Sequence, residues 1–113
     1  MESIRQQKVA RMVQRELSEY FQQQSHALFE GALITVTVVR MSPDLSLAKV
    51  YLSIYDLKQK PENIFNLVEE NKKIIRHALG QRIRNKIKSI PEIAFFIDDS
   101  LEYSQRIEEL LKK

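Results

Sequence analysis

The chain has 113 residues, 43% hydrophobic and 29% charged, with two glycines, three prolines and no cysteine. Length and composition indicate one folded domain and exclude disorder, a fibrous repeat, a disulfide framework, thiolate metal sites and cysteine nucleophiles. The net charge of +3 conceals a split: residues 71–91 hold seven of the eighteen Lys and Arg and no acidic residue, while the remainder sets eleven cations against fifteen carboxylates.

A slightly acidic body with one basic segment is the pattern of an anion-binding surface. The opening MESIRQQKVARM lacks the apolar run of a signal peptide, and no apolar segment is long enough to cross a bilayer. A reducing cytoplasm is the expected compartment, and a membrane is not an expected partner.

Periodicity predicts an amphipathic helix over 2–22, with Val9, Val13, Leu17 and Tyr20 on its buried face. Lys8, Arg11 and Arg15 fall within about 60° of one another on another face. Gln24–Gly31 has the character of a loop. Residues 33–41, LITVTVVRM, are β-branched and alternate, with Ile34, Val36 and Val38 expected on one face and Thr35 and Thr37 on the other. Ser42-Pro43-Asp44 is turn chemistry. A second alternating run sets Ala48, Val50, Leu52 and Ile54 against Lys49, Tyr51, Ser53 and Tyr55, so the two runs read as a hairpin with one face on the core.

Lys58 to Pro61 is a polar loop, and Pro61-Glu62 suits a first helical turn. The helix that follows carries Ile64, Leu67, Val68, Ile74, Ile75 and Ala78 in one stripe. Beyond Gly80, Ile83, Ile87 and Ile90 form a second stripe, rotated by roughly 120° from the first. A kink at Ala78-Leu79-Gly80 would keep both stripes on one core, and glycine tolerates the dihedrals of a break. Ile75, Leu79, Ile83 and Ile87 also stand at strict intervals of four, which suits a single helix wrapping around its core. Ala94–Ile97 reads as a strand, and Ser100 as the N-cap of a last short helix bearing Leu101, Ile107, Leu110 and Leu111. The expected fold is α+β, in the order α-β-β-α-kink-α-β with a short C-terminal helix and a three-stranded sheet covered by helices on one face.

On this reading Lys72, Lys73, Arg76 and His77 face outward, and Arg82, Arg84, Lys86 and Lys88 flank the isoleucines beyond the break. A helix restarting near Gly80 would free N–H groups beside them, giving a clamp for nucleic-acid phosphates with salt-sensitive affinity. The competing reading is a solvated helix face, with Thr35, Thr37, Tyr51 and Tyr55 on the open sheet pairing with a protein partner or a second copy; separately, Tyr51 and Tyr55 could stack on bases. The absence of any acidic residue at i±3 or i±4 within 72–88, and the second basic row on the first helix, favour nucleic acid. His26 and His77 lie in different elements, so no metal site is expected. Asp98-Asp99 has no accompanying nucleophile or base, so neither catalysis nor a cofactor is expected.

The element order is that of a type II KH domain, with Ala78-Leu79-Gly80 where the KH loop would stand. In that replacement the sequence resembles the ribosome-binding factor A family. RMVQRELSEYF at 11–21, ITVTVVRMSPDLSLAKVYLSI at 34–54 and IRHALGQRIRNKIKSIPEIAFFIDDS at 75–100 are similar to the family's first helix, hairpin and kinked helix with its following strand. The resemblance implies a cytoplasmic, non-catalytic assembly factor. Such a factor binds 16S rRNA in the small (30S) ribosomal subunit, promotes late rRNA processing and matters most in the cold. It also implies that Ala78, Leu79, Gly80 and the surrounding cations face RNA, with Lys8, Arg11 and Arg15 on the same side. A monomer is the simplest expectation.

Overall fold

The computed structural model describes residues 2–98. Helix α1 spans Ile4–Gln23 and is followed by a four-residue helix α2, Ser25–Leu28, inside the expected loop. Strands β1 (Leu33–Met41) and β2 (Leu47–Tyr55) come next, then helices α3 (Pro61–Glu70) and α4 (Lys72–Ile83), and strand β3 (Glu92–Ile97). Among the described residues the sheet runs β1-β2-β3, with β1 antiparallel and β3 parallel to β2. The α-β-β-α-α-β order expected from the sequence is therefore present. The Ser100 cap and the last helix lie outside the described residues.

Helix α1 starts at a reciprocal cap. The Ser3 hydroxyl accepts from the Gln6 backbone N–H at 3.1 Å, and the Gln6 side-chain Oε1 accepts from the Ser3 N–H at 2.7 Å, an arrangement worth about 1 kcal/mol. The Gln6 amide then donates to the Met41 carbonyl at 3.0 Å, tying α1 to β1. Val13, Leu17 and Phe21 are fully buried against the sheet. Each such side chain contributes roughly 1.5–3 kcal/mol by leaving water.

One strand breaks its alternation. Val36 pairs with Leu52, but Val38 pairs with Tyr51, so Thr37 is an inserted residue. A bulge of this kind inverts the facing of everything after it. Val38 is therefore on the open face, 37% exposed, and Val39 and Met41 occupy the core in its place. The Gln14 amide donates to the carbonyls of Val36 and Thr37 at 3.0 and 3.2 Å, and the Thr37 hydroxyl donates to the Asp98 carboxylate at 2.6 Å. The polar groups that the bulge unpairs thus find partners.

The helix break expected at Gly80 lies instead at Asn71. The Asn71 N–H is shared between the carbonyls of Leu67 and Val68, and its side-chain amide donates to the Leu67 carbonyl at 2.8 Å. Asparagine competes for local backbone groups in this way and so ends α3. Its own carbonyl accepts from Ile75 and begins α4. Helix α4 then runs unbroken through Ala78, Leu79 and Gly80, burying Ile75, Leu79 and Ile83 in one stripe. Ile87 and Ile90 do not continue a helix. They sit in the loop between α4 and β3, partly buried against the core.

Gly80 has a different purpose. A Cβ added to it would stand 3.3 Å from Ile90 Cγ1. The missing side chain allows the α4–β3 loop to lie close against the helix.

Candidate nucleic-acid interface

Because α4 turns Ile75, Leu79 and Ile83 inward, Lys73 and His77 stand exposed on its outer side. The following loop folds back against that side. Between them lies a groove of about 960 Å³ bordered by Lys72, Lys73, Arg76, His77, Gly80 and Arg84, together with Gln81, Ser89, Ile90 and Glu92. Six of the residues expected to bind RNA are thus brought together. Gln81 and Ser89 were not anticipated, since a search for charge passes over neutral polar side chains.

The cations divide into two groups. Arg76 clasps the loop: Nε donates to the Pro91 carbonyl at 3.0 Å, Nη2 to the Ile90 carbonyl at 2.8 Å, and Nη2 lies 3.4 Å from the Glu92 carboxylate. Arg82 points the other way, across to α1, donating to the Gln23 side-chain Oε1 at 2.6 Å and pairing with Glu19 at 3.4 Å. It also lies near Tyr20, whose hydroxyl pKa is raised by burial and partly restored by the Arg82 charge. Lys72 pairs with Glu69 at 3.2 Å and sits 5.9 Å over the Phe95 ring. These three side chains hold the fold together.

Lys73, Arg84, Lys86 and Lys88 are exposed and form no ion pair among the described residues. Arg84 caps the end of α4, and Lys86 and Lys88 lie in the loop rather than on a second helix. Leu79 is 1% exposed and faces the core, Ala78 is half-buried, and no free N–H groups open at Gly80 within the continuous helix. Lys8, Arg11 and Arg15 are exposed on α1, opposite Val13 and Leu17, outside the groove. Arg11 borders a separate depression beside Gln14, Thr37 and Val38. Among the described residues no cluster of His, Asp or Glu is built to hold a metal ion.

The sequence profile of ribosome-binding factor A matches residues 5–111. Ribosome-binding factor A of Cytophaga hutchinsonii is 45% identical over 113 residues, covering 100% of this chain and 84% of its own. The chain belongs to the ribosome-binding factor A family. Ribosome-binding factor A of Chlorobaculum tepidum is 39% identical over 110 residues, covering 97% of this chain and 90% of its own. The crystal structure of the Thermus thermophilus ribosome-binding factor A shares the fold at a TM-score of 0.67, with 22% identity over 81% of this chain and 94% of that one. A homology model of the Thermus thermophilus ribosome-binding factor A, fitted into the cryo-EM map of a complex of that factor with 30S, matches at a TM-score of 0.63 and 25% identity, over 80% of this chain and 91% of that one.

Proposed function

We propose that this chain is a non-catalytic factor that binds the small ribosomal subunit in the cytoplasm and promotes late maturation of 16S rRNA. Membership of the ribosome-binding factor A family supports the reading, as does the likeness to a relative described in complex with the 30S subunit. The observation that carries it is the groove along α4. Its lining carboxylate, Glu92, is neutralised by Arg76, while Lys73, His77 and Arg84 face solvent. A concave surface with surplus cations fits the phosphates of folded RNA, and releasing condensed counterions supplies the affinity. Lys86, Lys88 and the α1 row of Lys8, Arg11 and Arg15 extend the field beyond the groove and steer the encounter. The protein acts as a monomer that stabilises one RNA arrangement, which helps most in the cold, where misfolded helices rearrange slowly.

The test is co-sedimentation with small subunits. Lys73→Glu combined with Arg84→Glu should abolish pelleting at moderate salt while leaving the melting temperature unchanged, since neither side chain makes an ion pair among the described residues. Pelleting equal to that of the unaltered protein would rule the groove out.

A further inference from the structure

The face of the sheet that no described element covers carries a feature the groove does not use. Val38 pairs with Tyr51, and Tyr51 with Phe96, so one row of this face is apolar and aromatic from edge to edge. The Tyr51 and Phe96 rings are stacked, 5.2 Å apart at 24°, and Phe96 is 40% exposed. The next row on this face is Arg40, Lys49 and Ala94, and the row on the other side is Thr35 and Ser53. Tyr55 pairs with Leu33 at the far end, about 13 Å along β2 from Tyr51 at the usual rise per residue. Tyr51 and Tyr55 share the open face, as expected from the sequence, but stand apart along it, whereas Tyr51 and Phe96 touch.

We propose that the Val38–Tyr51–Phe96 row is a stacking platform for unpaired bases of single-stranded RNA. The proposal rests on the RNA-binding reading above and extends it to a second surface and a second class of RNA structure. The two rings cover one face of each other, and a base stacking on what the pair leaves exposed extends the stack whatever its sequence, because every base has a π-face. Phosphates would meet Lys49, which makes no ion pair among the described residues, and Arg40, whose ion pair among them is with Glu2 at 3.3 Å. Among the described residues the carboxylates that β3 and its end place on this face are engaged: Glu92 with Arg76, and Asp98 with the Thr37 hydroxyl. A second copy or a protein sheet laid on the same face would bury Arg40 and Lys49, and charges buried without partners are costly. A polyanion neutralises them instead. The cationic neighbours suit a wet, charged occupant better than a dry one.

The experiment measures fluorescence anisotropy of the full chain with a labelled oligouridine and with a blunt RNA duplex. Tyr51→Leu and Phe96→Leu keep apolar bulk in the row but remove one ring each. Each should weaken oligouridine binding about tenfold while duplex binding stays the same. Lys73→Glu with Arg84→Glu should weaken the duplex. The proposal also requires an upfield shift of the Phe96 ring protons of the unaltered protein on adding oligouridine, a readout that survives if a leucine variant fails to fold. Oligouridine binding by the leucine variants at full strength, with duplex binding intact, would overturn the platform and leave the groove standing. A concentration-dependent dimer lost in the same variants would assign the row to a second copy and also overturn it. Failure of the unaltered protein to bind either RNA at low salt would remove both readings together.

Discussion

Asp44 shows how one side chain closes the hairpin. Its Oδ1 accepts from the Ser42 hydroxyl and the Ser46 hydroxyl, each at 2.8 Å, and from the Ser46 N–H at 3.1 Å. The Ser42 hydroxyl, followed by the two Ser46 donors, lowers the carboxyl pKa to about 2. A group depressed on folding stabilises the fold above its ordinary pKa, near 3.8, and loses that contribution as pH falls through about 2. Carbon-detected NMR titration should place the Asp44 midpoint near the lower value. Asp44→Ala should melt lower than the unaltered protein at pH 7, with the difference closing by pH 2. The same turn holds Leu45 at a φ of 62°, a conformation that side chains seldom adopt. Gly80 gives a second residue-scale expectation. Gly80→Leu must push Ile90 away and should cost about 1–3 kcal/mol in urea denaturation. Gln81→Leu, on exposed surface, should stay within about 0.5 kcal/mol.

Between elements, the arginines of α4 act as clasps. Arg76 satisfies two carbonyls of the incoming β3 loop from one guanidinium, and Arg82 joins α4 to α1 through Gln23 and Glu19. Hydrogen bonds to a charged donor contribute about 1.5–3 kcal/mol, and a lysine cannot reproduce the planar fork. Arg76→Ala should therefore lower stability by about 2 kcal/mol, and Arg76→Lys should recover little of it. Read along the chain, both arginines look like free surface charge, because their partners are 14 to 15 and 59 residues away in sequence. The bulge at Thr37 escapes the sequence for a similar reason. LITVTVVRM alternates well enough to predict a strand, but the carbonyls released at Val36 and Thr37 are accommodated by Gln14 of another element. Gln14→Leu should cost about 1–3 kcal/mol, measured by thermal unfolding, by leaving those acceptors without a donor.

At the scale of the whole molecule, charge is sorted by the fold. Cations that meet a carboxylate or a carbonyl bind the elements together, while Lys73, Arg84, Lys86 and Lys88 are left over along α4 and its following loop, Lys8, Arg11 and Arg15 on α1, and Lys49 on the open face of the sheet. If the leftover set meets phosphates, each lost contact should reduce the salt dependence of binding by a slope of about 0.7–0.9 in log affinity against log salt. Lys73→Gln and Arg84→Gln should each show that reduction with RNA from the small subunit. Arg82→Gln should change stability instead.

Element order, the core faces of α1 and β2 and the concentration of positive charge in 71–91 were legible in the sequence alone, because periodicity and composition are local properties of the chain; the stripe expected beyond α3 was not, since Ile74 is exposed and Ile87 and Ile90 lie in a loop. The family was legible too, carried by the hairpin and the segment that follows it. The position of the helix break was not. Glycine between two stripes suggested Gly80, whereas Asn71 ends α3 by taking the Leu67 carbonyl, and the glycine makes room for Ile90. Nor could the sequence tell clasping cations from free ones, or bring Phe96 beside Tyr51. Those outcomes depend on which distant groups come within a few ångströms of each other, and only the packed chain decides that.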